Sequence, residues 1–239
     1  MPSLCQAGFC RPPSERLHET SSEERSTDGE VDSVVVCRVE ELRMEKQLPG
    51  AGMSSFDLIH VQILFERLCL AKGSTFVDLG CGRGEYAIEA ALRIGEKGIA
   101  YAIDLWEDGL VVLATEAEFR DLPQLRVVAA DICSTLPVDG ASIDVCFAAV
   151  VFHDLVQEGC AESMLEEAHR ILKPHGRLAI LEFKKFDGHP GPPISVKLSP
   201  DQVEQIVAPH GFARNEVTEV GPYNYLITFE SVFHAAAND

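Results

Sequence analysis

Long apolar runs are missing from this chain of 239 residues: nowhere does one approach the roughly 18–20 consecutive positions that a membrane-crossing helix needs. Bases are also scarce. Twenty Lys and Arg stand against 38 Asp and Glu, giving a formal charge of −18 and a pI near 4.8. Such a surface repels phosphate backbones and anionic lipid, so a small molecule is the expected partner, with no nucleic acid and no membrane. The opening Met-Pro-Ser-Leu-Cys-Gln-Ala-Gly-Phe-Cys has neither a basic n-region nor the apolar stretch of a secretory leader, which predicts a cytoplasmic protein. In a cytoplasmic setting the eight cysteines are expected to stay reduced rather than pair, and Cys5 and Cys10 form no Cys-x-x-Cys pair, so no metal site is expected. Cys69, Cys81, Cys133 and Cys146 fall in apolar or strand-like stretches and read as small core residues; Cys5, Cys10, Cys37 and Cys160 are solitary.

What is present is the ordinary mix of a globular protein, 46% hydrophobic and 24% charged, in a length that suits one α/β domain with an appendage. Residues 2–32 are rich in Ser, Thr, Glu and Arg and cannot bury enough apolar surface to offset ordering. Residues 1–49 are therefore read as a disordered acidic tail and linker, Pro49-Gly50-Ala51-Gly52 as a boundary, and residues 50–239 as the domain.

The domain is organised around Phe76-Val-Asp-Leu-Gly-Cys-Gly-Arg-Gly-Glu-Tyr-Ala87, an apolar strand ending in an acid, then three glycines, then a helix over 86–94. A dinucleotide fingerprint needs a third Gly or Ala at position 85, where this chain has Glu, and a P-loop needs Gly-Lys-Ser/Thr at the helix start. The ligand is therefore not expected to be held by phosphate. The next strand, 99–105, presents Asp104 twenty residues beyond Gly84, where a carboxylate can accept both hydroxyls of a ribose. Trp106 follows as a candidate to lie against a base or to pack. A third strand, 125–130, again ends in an acid, Asp131. Three strand ends bearing Asp78, Asp104 and Asp131 fit the carboxyl edge of an open parallel sheet, where such sheets bind ligands.

These residues resemble motif I and the acidic strand ends of the class I S-adenosylmethionine-dependent methyltransferases, in particular the small-molecule type related to quinone biosynthesis. The resemblance covers roughly residues 50–231. It implies a Rossmann-like, seven-stranded, mostly parallel sheet with an antiparallel last strand and helices on both faces. It also implies S-adenosylmethionine as cofactor, held by Asp78, Gly80, Cys81, Gly82 and Gly84 at its methionine end, Asp104 and Leu105 at the ribose, and Asp131 and Ile132 at the adenine. Ala149 and Val150 lie near it, and Phe56, Asp57 and His60 are candidates for pocket lining.

The run 143–152 reads as a central strand buried on both faces, opening on His153-Asp154-Leu155. Asn/Asp-Pro-Pro-Tyr is missing there, which disfavours methylation of a nucleobase amine. His153 is the candidate general base if the acceptor is a hydroxyl, with Asp154 to orient it; a packing or pocket-lining histidine is the alternative. Ser54 or Ser55 is expected to cap a helix running to about Leu70, residues 184–193 to form a flexible lid, and Ser199-Pro-Asp-Gln to start a helix as a capping box. Strands over 212–220 and 223–230 must be antiparallel across so short a turn. The implied activity is methyl transfer to a small molecule by in-line displacement; the reading from another class is a non-catalytic cofactor-binding or protein-interaction module on the same fold.

Overall fold

The computed structural model describes residues 54–232; the expected tail and the boundary at 49–52 lie outside the described residues. Seven strands make one sheet in the order β3-β2-β1-β4-β5-β7-β6. They are β1 (Thr75–Leu79), β2 (Ile99–Asp104), β3 (Leu125–Ala129), β4 (Ile143–Ala149), β5 (Leu172–Phe183), β6 (Phe212–Glu219) and β7 (Asn224–Ser231). Neighbours from β3 through β5 are parallel, and β7 inserts antiparallel between β5 and β6, as the short 220–223 turn demands. The helices are α1 (Val61–Leu68), α2 (Glu85–Ile94), α3 (Glu107–Phe119), α4 (Phe152–Glu158), α5 (Ala161–Ile171) and α6 (Pro200–Val207).

Alternation along each strand sends side chains into two cores. Phe76, Ala100, Phe147 and Leu181 pack under α1, α2 and α3, while Val77, Ile103, Cys146 and Ile180 pack under α5 and α6. Both faces are covered, which is why the central strands carry near-continuous apolar runs. Strand order reverses at β1, with β2 on one side and β4 on the other. A crevice opens above such a switch point, at the carboxyl ends of the strands.

Several local expectations need correction. The helix expected from Ser54 or Ser55 to Leu70 is split into a 3-10 turn, Phe56–Leu58, and α1. Ser55 does not cap it, because its buried hydroxyl bonds the Tyr86 hydroxyl at 2.8 Å, and the chain breaks where the His60 amide donates to the Val220 carbonyl at 2.6 Å. Cys69 is exposed rather than core, ending α1 with φ of 55°. Strand β4 stops at Ala149, short of the expected Phe152, because Val150 turns into the left-handed region at φ 52°. The capping box is as expected: the Gln202 amide donates to Ser199 Oγ at 3.3 Å, and the Ser199 amide donates to Gln202 Oε1 at 3.1 Å.

Candidate active site

Gly80–Gly84 carries the chain from β1 into α2. Gly80, Gly82 and Gly84 all have positive φ, a conformation that costs an L side chain about 1–2 kcal/mol. Close packing adds to this at two of them: a Cβ on Gly84 would lie 2.4 Å from Leu113 of α3, and one on Gly80 would lie 3.1 Å from Val151. Around Gly82 nothing comes within 4 Å, so the loop tip faces open space. Cys81, within the loop, is buried, and burial, then the charges of Asp78 and Asp104, push its thiol well up.

Asp104, at the end of β2, ties this loop down. Its Oδ2 accepts the Gly82 amide at 2.7 Å and its Oδ1 the Trp106 amide at 2.8 Å, and each oxygen retains a lone pair for a further donor. Leu105 follows, apolar yet 49% exposed. The Trp106 ring packs over Gly109, where a Cβ would meet it at 2.3 Å, so its role is packing at the start of α3. Beyond β3, Asp131 accepts the Cys133 amide at 2.9 Å and the Ser134 hydroxyl at 3.3 Å, and Ile132 is buried beneath that turn.

Asp78 is the anomaly. It is fully buried, and neither carboxylate oxygen has a hydrogen-bond partner. Burial first, then the charges of Asp104 and Glu85, push its carboxyl well above the usual range; the Ala87 amide opposes this without completing a hydrogen bond. An orphaned buried carboxylate is costly, and one under a glycine loop is complementary to a cationic or donor-rich group.

On the other side of the switch point, the left-handed Val150 is followed by Val151 as N-cap and then by α4 from Phe152. His153 lies in this helix, not at a strand end, and is 5% exposed. Its Nδ1 lies 3.0 and 2.9 Å from Glu182 Oε1 and Oε2, and its backbone amide also donates to Oε1 at 3.0 Å. Asp154 does not orient the ring as expected: its Oδ1 is 3.6 Å from Nε2, outside hydrogen-bonding range.

Residues 77–180 match the family model described as a methyltransferase domain. Over 116 residues the chain is 35% identical to a 2-phytyl-1,4-naphtoquinone methyltransferase of Nostoc punctiforme, covering 48% of each chain. Over 86 residues it is 41% identical to a protein of Methanosarcina acetivorans described as a probable cobalt-precorrin-6B C(15)-methyltransferase (decarboxylating), covering 35% of this chain and 45% of that one. The chain thus spans about half the length of the curated relatives it matches. The solved structure of a SAM-dependent methyltransferase from Aquifex aeolicus superposes with a TM-score of 0.68 at 29% identity, covering 75% of this chain and 94% of that one. The described domain is thus similar to S-adenosylmethionine-dependent methyltransferases, in sequence over residues 77–180 and in fold across the sheet.

In this domain the structure brings Asp78, Gly80, Cys81, Gly82, Gly84 and Asp104 together around one loop. Leu105, Asp131 and Ile132 follow at the ends of the next two strands, and Ala149 ends β4 on the other side of β1. Glu182 was missed. It is an acid one residue before the end of an apolar strand segment, close to the signal that marks Asp104, but Phe183 after it makes it read as part of the run. Lys197 was missed as well: it is 1% exposed, and its Nζ donates to the carbonyls of Phe186 and Gly188 at 3.1 and 2.9 Å, tethering the loop expected to be a flexible lid. A second cleft, at the opposite edge of the sheet, has its bases committed. Lys173 pairs with Asp144 at 2.8 Å, and Arg177 donates to the Arg67 and Leu68 carbonyls. Among the described residues no group of three or more His, Cys, Asp or Glu could hold a metal ion.

Proposed function

We propose that this domain transfers a methyl group from S-adenosylmethionine to a small-molecule acceptor. The observation that carries the reading is Asp78, a fully buried carboxylate without a donor, set under a glycine loop whose tip is open. A group with a positive charge and N–H donors suits that position, and the methionine end of the cofactor has both.

Asp78, Gly80, Cys81, Gly82 and Gly84 would hold the methionine end, Asp104 with Leu105 the ribose, and Asp131 with the Ile132 amide the adenine; Ala149 would border the reacting end. When bound, the cofactor supplies an electrophilic methyl group on a sulfonium. The protein's part is to hold an acceptor in line with that methyl at near-attack distance and to keep water out, which can account for most of the acceleration. The named acceptors of the relatives, a naphtoquinone and a cobalt-precorrin, support a small organic acceptor here. The charge of −18 supports the same choice over nucleic acid. We assign the domain to residues 50–239, with residues 1–49 as an appended tail, and place the protein in the cytoplasm; no helix of the described residues is long and apolar enough to cross a membrane.

Thermal unfolding tests the reading. Ligand at about 100 times its Kd should stabilise the domain by about 2.7 kcal/mol and raise Tm by several degrees. S-adenosylmethionine and S-adenosylhomocysteine should both do so, and no shift with either would overturn the proposal. Release of S-adenosylhomocysteine across a panel of phenols, quinols, amines and thiols then tests catalysis, and silence throughout would favour the non-catalytic module.

A further inference from the structure

We propose that Glu182 and His153 form a proton-accepting pair that selects an acceptor bearing an ionisable hydroxyl on an unsaturated carbon, as in a phenol, quinol or enol. The inference rests on the methyl-transfer reading and deepens it.

Glu182 has no exposed surface and lies in a strand whose other residues from Leu178 to Phe183 are apolar and buried. A carboxylate in such a place is costly unless its charge is met, and an apolar pair of similar volume would hold the fold at least as well. Its oxygens are met by the His153 ring, the His153 amide and, at 3.3 Å, the Phe183 amide. The carboxylate therefore fixes the imidazole with its proton on Nδ1 and leaves Nε2 as a lone-pair acceptor. Nε2 is not taken up by Asp154, at 3.6 Å.

The pair also lies close to the carboxyl ends of β1 and β4. His153 is two residues past Val151, which packs against Gly80 of the glycine loop, and four past Ala149 at the carboxyl end of β4. Asp78 shares the strand parity of Phe76, facing α2, whereas Glu182 shares that of Leu178 and Ile180, facing α5 and α6. The two carboxylates thus serve one sheet edge from opposite faces, one beneath the cofactor loop and one behind the imidazole.

For a hydroxylic acceptor the balance is direct. The O–H proton passes to His153 Nε2, the oxyanion or the carbon conjugated to it forms a bond to the methyl, and the C–S pair returns to sulfur, which becomes neutral. A neutral amine attacks with its own lone pair and needs no such base beforehand. Titration follows from the neighbours. Burial lowers the basicity of His153, but the hydrogen bond and charge of Glu182 on β5 and the charge of Asp154 on α4 outweigh it, so the group titrates above its usual value. Glu158 bears on Asp154, and Tyr225 of β7 faces Glu182. Activity should therefore rise with pH through a limb above the ordinary histidine value of 6.5.

The test uses the full chain with S-adenosylmethionine and four acceptor sets: phenols and quinols, enols, the methyl ethers of both, and amines with thiols. Hydroxylic acceptors should be turned over and their ethers should not. Glu182→Gln should lower kcat by about 10–1000-fold with KM changed less than threefold. It should also move the pH limb down, because the raised histidine loses the carboxylate that raised it. His153→Asn should remove the limb, and both variants should bind S-adenosylmethionine as wild type does. Should Glu182→Gln fail to fold, Glu182→Asp and the ¹⁵N shifts of His153 in the wild-type protein carry the test, with protonated Nδ1 and unprotonated Nε2 expected above the limb. Turnover of amines or thiols only, an unmoved limb in Glu182→Gln, or a proton on Nε2 above the limb would overturn the pair while leaving methyl transfer intact. Failure to bind S-adenosylmethionine would instead remove the reading beneath it.

Discussion

The Gly82 amide donates to Asp104 Oδ2 at 2.7 Å, so the tip of the glycine loop and the end of β2 form one unit. Asp104 also holds the start of α3 through Trp106, and it has lone pairs left for two ribose hydroxyls. Asp104→Ala removes all of these at once. With hydrogen bonds to a charged group worth about 1.5–3 kcal/mol, its affinity for S-adenosylmethionine should fall by at least about 10–100-fold. Asp104→Asn, which keeps one carbonyl oxygen, should fall between, and calorimetry showing wild-type affinity in the Ala variant would mean that the anchor lies elsewhere.

Asp78 should trade stability for binding. An acid whose folded pKa is raised keeps a proton that the unfolded chain releases, so it costs stability increasingly as pH rises above the ordinary value of 3.8. Asp78→Asn should therefore raise Tm of the ligand-free protein by a few degrees at neutral pH, about 1–3 kcal/mol, and the gain should vanish below about pH 4. The same variant should lose affinity for S-adenosylmethionine. Thermal unfolding at several pH values separates this from a nonspecific effect, and a lower Tm at neutral pH would contradict it.

The loop glycines should divide by function. Gly84→Ala puts a methyl 2.4 Å from Leu113 at φ +77°, and overpacking plus strain should cost about 2–4 kcal/mol, read in urea unfolding. Gly82→Ala meets no neighbour and should cost only about 1–2 kcal/mol, yet its methyl stands in the open space above the loop and should weaken cofactor binding. The reverse order of stability costs would contradict the assignment.

Lys197→Met leaves the Phe186 and Gly188 carbonyls without their donor and removes the ammonium that lies 4.5 Å from the Phe186 ring centroid. Limited proteolysis within residues 184–198 should become several-fold faster, while strand-core protection against hydrogen exchange should be unchanged. Equal cleavage rates would show that Lys197 does not tether the loop.

Most of the fold is legible in the residues because its signals are local. The apolar run 76–79 ends at three glycines, and Asp104 and Asp131 close their strands one βα unit apart, so the parallel order and the ligand edge follow together. The errors come from tertiary partners. Ser55 looks like a cap, but a buried hydroxyl 31 residues away competes for it. Residues 150–152 look like strand, yet Val150 adopts a conformation that no β-branched side chain prefers, and α4 starts there. Cys69 sits in an apolar stretch but ends a helix in the left-handed region and so comes to the surface. Asp154 is the obvious partner of His153 in sequence, whereas the true partner, Glu182, is 29 residues away on β5 and becomes its neighbour only once the sheet is assembled.

The most direct test of a cofactor site built on Asp78 and Asp104 is isothermal titration of the folded chain with S-adenosylmethionine and S-adenosylhomocysteine. One-to-one binding of both, weakened in Asp78→Asn and in Asp104→Ala, is the predicted result. No heat from either ligand, with circular dichroism showing an intact α/β fold, would contradict it.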